Sequence, residues 1–228
     1  TQFFSPDSPW YSQAVADAWP SFDMDAAIAL LQEYVDDPTR SDGKAVGEKI
    51  DVEYGCVAGE ATLIALAAVH EGLWTSTGLV NVTVNMSADQ PTHINVALGI
   101  GNAFVGEHGA HCWRFGDQQD PSIALGSAYG NPVSNPLNFS NYDSPEARAL
   151  LDEAKTVADF ETRKALYEQV GLIGARDVPM WYSGHTATAL AFEEGIVGLD
   201  DWVLPDGTVG IGHPSAIPRT YQMWRTDG

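Results

Sequence analysis

An alternating strand, a helix and a second alternating strand follow one another between residues 50 and 84, and that order leaves few folds open. Ile50, Val52 and Tyr54 alternate with Asp51 and Glu53, so the first strand has one apolar face and one polar face. Residues 60 to about 74 are rich in Ala and Leu and lie between Gly59 and Gly78, which reads as a long helix. Val80, Val82 and Val84 then alternate with Asn81, Thr83 and Asn85. Two strands joined through a helix form a parallel crossover, and such crossovers are almost always right-handed. The expected class is therefore α/β, a mixed and mainly parallel sheet flanked by helices.

Elsewhere the pattern marks helices by their caps. Asp23 is placed to cap a helix bearing Ala26, Ala27, Leu30, Leu31 and Tyr34, which Pro38 closes. Residues 36–48 are polar and contain glycine, a loop. Ala97, Leu98, Ile100 and Ala103 are spaced for a helix after Pro91, with Gly99, Gly101 and Gly106 against it. Residues 126–142, rich in Asn, Ser, Gly and Pro, read as a loop. Then Asp143 or Ser144 caps a helix with Pro145 in its first turn, Glu146 at its electropositive end, and Leu150, Leu151 and Ala154 on one face. Asp159 caps the next, whose Leu166, Val170 and Ile173 form an apolar stripe opposite Arg163, Lys164 and Glu168. Residues 177–182 read as a strand, because Pro179 disfavours helical geometry at Val178. Residues 187–192 are a further strand. Residues 200–212 are turn-rich, and residues 1–20 form an extended connector packing locally through Phe3, Phe4, Trp10 and Trp19.

Charge and motif content exclude several functions. Eleven basic residues against 31 acidic ones give a net charge of -20 over 228 residues, with no basic stripe, so no nucleic-acid partner is expected. Saltwater adaptation and an ordinary solvated acidic surface both account for such charge. No run of 18 apolar residues occurs, and no signal peptide begins at Thr1. Cys56 and Cys112 either join, if adjacent strands bring them together, or are two small buried hydrophobes. Asn81, Asn85 and Asn138 each begin a glycosylation sequon. Glu107, His108, His111 and Cys112 offer oxygen, nitrogen and sulfur without the spacing of a helix-borne metal site, so they read as loop residues and no metal or cofactor is expected. Ser183-Gly184-His185 has no acid partner and no nucleophile elbow, and Gly99-Ile100-Gly101 lacks the spacing and lysine of a phosphate loop. The chain is not read as an enzyme.

The order of motifs along residues 142–182 resembles the distal part of the extracytoplasmic solute-binding proteins of family 5, the peptide, oligopeptide and nickel-type binding components of ABC transporters. Pro145 and Glu146 match the start of one helix, Asp159, Arg163 and Tyr167 an Asp-x-x-x-Arg-x-x-x-Tyr helix, and Pro179 the segment after it. Asp23, Ala27, Leu30 and Leu31 are similar to the helix that leads into the distal lobe, and Ile196-Val197-Gly198 to a return segment. The resemblance implies a connector over residues 1–20, a periplasmic-binding-protein-like type II distal lobe over residues 21–198, and a return segment over residues 199–228 that packs on a missing N-terminal lobe. It implies a bilobal parent that encloses a peptide or small-molecule solute and delivers it to an ABC permease. The parent is expected to be periplasmic or extracellular, its signal or lipid anchor carried on the missing amino-terminal portion. The alternative is a free-standing α/β interaction or sensory module derived from such a lobe.

The resemblance also points to a ligand site. In the family a central strand ends near an aromatic residue and leads to a polar loop finishing in an acidic residue and a proline. In peptide-binding members an aspartate of that loop meets the ligand's amino terminus. Trp113 is the aromatic here and Asp120-Pro121 closes the loop; counting back places Asp117 at the aspartate, while counting forward from Trp113 needs one residue more. The candidate ligand-binding residues are Asp117, Trp113, Phe115 and Asp120. A carboxylate at Asp117 suits an ammonium or guanidinium, and the rings of Trp113 and Phe115 suit apolar or sugar surface, although alternating aromatics are equally the pattern of a sheet core.

Overall fold

The structure, a computed structural model, describes residues 2–98, 109–115, 120–135, 137–138, 140–185, 191–198 and 223–226. In chain order the elements are α1 (Gln13–Ala18), α2 (Met24–Asp36), β1 (Ile50–Val57), α3 (Ala61–Ser76), β2 (Val80–Ser87), α4 (Gln90–Ala97), β3 (Ala110–His111), α5 (Pro121–Tyr129), α6 (Pro145–Ala154), α7 (Phe160–Asp177), β4 (Ile196–Val197) and β5 (Trp224–Arg225). They fall into two compact units, Pro20–Arg114 and Thr1–Trp19 with Phe115–Gly228, called here the αβ unit and the helical unit.

In the αβ unit the strand–helix–strand pattern forms as expected. β1 runs parallel to β2 from Ile50 opposite Val80 to Val57 opposite Ser87, and β3 lies parallel on the other side of β1, giving the order β2-β1-β3. Alternation sorts the two faces. Tyr54 and Cys56 are buried with Ala67 of α3, and Leu63, Trp74, Val82, Val84 and Met86 pack against them. On the opposite face the Asn81 amide donates to Asp51 at 2.8 Å and the Asn85 amide to Glu53 at 2.9 Å, tying β2 to β1 through polar side chains. Cys56 and Cys112 are joined in a disulfide, so the adjacent-strand alternative holds.

Asp23 caps α2 by accepting from the Ala26 amide at 2.9 Å. The following loop is wrapped around Arg40, which donates to the carbonyls of Val35, Ala45 and Glu48 and pairs with Asp42 through two nitrogens. The helix expected after Pro91 forms nearer to that proline than the apolar spacing implied. Asp89 caps it, Pro91 sits in the first turn, and it ends at Ala97. Residues 99–103 of the expected span lie outside the described residues.

The helical unit is built on α5, α6 and α7, whose Leu125, Tyr129, Ala147, Leu151, Tyr167 and Val170 share one core with Trp10. Ser144, rather than Asp143, caps α6 by accepting from the Ala147 amide; Asp143 pairs with Arg148 instead. Asp159 caps α7. Three expectations fail here. Residues 126–129, read as loop, complete α5, which begins at the Asp120 cap and Pro121. Residues 177–182, read as a strand, do not pair: α7 continues to Asp177, and Val178 ends it in the left-handed conformation at φ 43°. Pro179 acts as a helix stop. Part of the stretch read as an extended connector is helical, since Ser12 caps α1 and also donates to Glu168 of α7 at 2.6 Å. The strand expected over residues 187–192 falls mostly on residues outside the description, as do the turns at 200–212. Asn138 is buried and donates to the carbonyls of Gly130 and Tyr142, a staple for its loop.

Gly174 of α7 makes room for the Tyr129 ring of α5. A Cβ there would lie 2.3 Å from Tyr129 Oη and 3.0 Å from Cζ, whereas a Cβ at Gly126 of α5 would meet nothing within 4 Å. Helix propensity favours alanine over glycine by about 1 kcal/mol at either position, but overpacking costs about 1–3 kcal/mol at the first. Gly174→Ala should therefore lower the urea midpoint and Gly126→Ala should raise it; a rise in both would refute the close packing of Tyr129 on Gly174.

Candidate functional site

In an open α/β sheet ligands meet the carboxyl ends of the strands where the strand order switches direction. With the order β2-β1-β3, the chain leaves β1 for β2 on one side and later returns to the other side as β3, so the switch crevice lies between β1 and β3. Trp113 follows β3 by two residues and so stands just outside that crevice. Its position is fixed from the strand below. Cys112, directly before it, is bonded to Cys56 near the end of β1, and the Cys112 amide donates to the Gly55 carbonyl at 2.9 Å.

His93 of α4 adds a third tie. Its Nε2 lies 2.9 Å from the Cys112 carbonyl, and because a carbonyl only accepts, Nε2 carries the hydrogen. The residue is 4% exposed, its Nδ1 is buried without a hydrogen-bond partner among the described residues, and its ring lies 6.0 Å from that of His111 and 6.3 Å from that of Trp113. Beneath α4, on the sheet face opposite α3, is a cavity of about 130 Å³ to which Glu53, Gly55, Asn85, Ser87, His93 and His111 contribute. Glu107 and His108 lie outside the described residues, and among the described residues no three His, Cys, Asp or Glu side chains converge as metal ligands.

Phe115 and Asp120 belong to the helical unit. Phe115 packs against its core, with its ring 5.5 Å from that of Phe3. Asp120 uses one carboxylate oxygen to cap α5, accepting from the Ser122 amide at 2.8 Å, and the other to pair with Arg163. Burial acts to raise the Asp120 carboxyl, but the bonds from Arg163 and Ser122 together hold it below the ordinary carboxylate value. Arg163 in turn lies over the rings of Trp10 and Tyr167. Asp117 lies outside the described residues. Sequence reasoning named Arg163 and Asp120 separately and missed their pairing across 43 residues. It set His93 aside as too far along the chain to join His111 and missed the cavity, for which the one local signal is Gly55, a lone glycine inside a strand.

No protein-family model matches the chain, and no curated protein matches it. Solved structures do. The oligopeptide-binding protein AppA of Bacillus subtilis, in complex with a nonapeptide, superposes with a TM-score of 0.63 at 18% identity over 78% of this chain and 34% of that one. HbpA2 from Haemophilus parasuis gives 0.62 at 20% identity over 78% of this chain and 32% of that one. NikA from Staphylococcus aureus, in complex with Ni(L-His)2, gives 0.59 at 17% identity over 78% and 34%. The chain has the fold of part of these proteins. It spans about a third of the length of each.

Proposed function

We propose that this chain is the distal lobe of an extracytoplasmic solute-binding protein of family 5, which helps to enclose a peptide or other small solute for delivery to an ABC permease. What supports the reading is the place of Trp113, an aromatic residue outside the carboxyl ends of β1 and β3, in a fold shared with proteins that hold a nonapeptide or a nickel–histidine complex. The lobe supplies one wall of a cleft and a missing amino-terminal lobe the other. Closure requires that the solute bind the closed form better than the open one, since equal affinity would shift nothing. Trp113 covers apolar solute surface, and Asp117 pairs with a solute ammonium. Asp120 fixes the start of α5. A disulfide suits a periplasmic or extracellular protein, and among the described residues no helix is long and apolar enough to cross a membrane. Export or lipid anchoring through the amino-terminal portion belongs to the same proposal, and the role is not catalytic.

Native mass spectrometry of the protein isolated from its source tests the reading. A retained peptide or small solute is expected. In titrations with that solute, Trp113→Ala should weaken binding about tenfold, and Asp117→Asn should weaken a cationic or amino-terminal solute more than a neutral one. A stable complex with another protein, without any retained solute, would instead favour the interaction module.

A further inference from the structure

We propose that the cavity beneath α4 is a subsite for a small organic cation, a guanidinium or primary ammonium group on a short aliphatic stem. The argument begins at Gly55. Glycine within a strand interior weakens it and marks a bulge, a bend, or a place where something approaches closely. The β1–β2 register runs unbroken from Ile50 to Val57, so there is no bulge. The Gly55 φ is not in the left-handed region, and a Cβ would meet only the Asn85 carbonyl oxygen and His111 Cβ, each at 3.7 Å. The described chain itself therefore gives no reason for glycine. What the missing side chain leaves is the floor of a cavity of about 130 Å³.

The cavity wall selects the charge of its occupant. Glu53 is partly buried, and among the described residues its carboxylate receives one hydrogen bond, from the neutral Asn85 amide, and no ion pair. With Nε2 of His93 committed as a donor, the second nitrogen of the neutral ring is an acceptor that has no partner among the described residues. A carboxylate without a counter-charge among the described residues, beside a buried acceptor nitrogen, suits a cation that carries N–H donors. The imidazole rings of His93 and His111 offer flat faces for a guanidinium, and Val96 and Ala97 of α4 offer apolar surface for its stem. The volume is well above the roughly 10–15 Å³ that one water needs, which leaves room for such a group.

This assignment rests on the cavity and not on the importer reading, and the two fail separately. The 228-residue chain is titrated with ethylguanidinium chloride and with neutral ethylurea under mildly alkaline conditions, following the imidazole signals of His93 and His111 by NMR. Saturable shifts are expected with ethylguanidinium. Glu53→Gln, which keeps a partner for Asn85, should weaken that binding at least about tenfold and leave the response to ethylurea unchanged. Gly55→Val, a substitution the strand tolerates, should abolish binding while the urea midpoint holds or rises. A terminally blocked Gly-Arg-Gly peptide distinguishes the source of the cation: binding that is lost in Gly55→Val assigns a peptide side chain, and binding of the free cation alone assigns a free solute. Shifts that do not saturate, that survive Gly55→Val in a folded protein, or that Glu53→Gln leaves unaltered overturn the proposal.

Discussion

Removing the Cys56–Cys112 bond should destabilise the αβ unit by about 4 kcal/mol, the chain-entropy value for a loop of this size. The two cysteines are 56 residues apart, and the segment between them holds α3, β2, α4 and β3, nearly the whole crossover. Without the bond, the two-residue β3 is held to β1 by a short ladder and by the Cys112 amide. Against a typical domain stability of about 5–15 kcal/mol, that is a large fraction. Urea unfolding of the Cys56→Ala/Cys112→Ala variant, followed by the fluorescence of Trp74 and Trp113, should show a correspondingly lower midpoint, and a reducing agent should reproduce it on the unaltered protein. Alanine is preferred to serine because Cys56 is 0% exposed and a hydroxyl there would add a burial cost of its own. An unchanged midpoint in both experiments would show that the bond constrains nothing the strands do not already fix. Under the importer reading the same variant should also lose solute affinity, because Trp113 hangs from the bonded residue.

What could be read in the sequence was what local chemistry decides. The alternation of Ile50, Val52 and Tyr54 with Asp51 and Glu53 sorts a strand's faces without help from the rest of the chain, and Asp23 and Asp159 cap helices through amides three residues away. Where long-range packing decides, local reading failed. Gly126 and Ser127 are poor helix formers, yet α5 carries them because Leu125, Ala128 and Tyr129 bury themselves in the helical unit's core. Residues 177–182 have the composition of a strand, but α7 packs as far as Asp177 and Val178 turns the chain. The cysteine pair stayed ambiguous for the same reason, since only the placement of β3 beside β1 brings them together. The site divides likewise. The resemblance offered Trp113 as a candidate, whereas Glu53, Asn85, His93 and His111 come from four elements and each has an ordinary local role.

Alkali should unfold the helical unit through two tyrosines. Tyr129 of α5 and Tyr182, beyond α7, place their hydroxyls 3.1 Å apart. Burial pushes the Tyr129 phenol up to about 12, the bond from Tyr182 working the other way. Burial likewise pushes Tyr182 well above the ordinary phenol value, and the neighbouring Tyr129 adds to the rise. In the unfolded chain both titrate near pH 10. Between these values the unfolded state has released protons that the native state still holds, so stability falls as pH rises; below about pH 10 both states are protonated and the contribution is complete. For Tyr129 alone the loss is about 2–3 kcal/mol by pH 12, with Tyr182 adding to it in the same direction. Both cysteines are disulfide-bonded, so no thiol is present to start exchange in alkali. The comparison to make is urea unfolding across this pH range for the unaltered protein and for Tyr129→Phe/Tyr182→Phe, in which both rings remain and neither can ionise. The double variant should lose less stability in alkali by at least the Tyr129 contribution. Parallel pH profiles would mean that the two phenols ionise as readily in the folded protein as in the unfolded one, and that the buried pair is open to solvent.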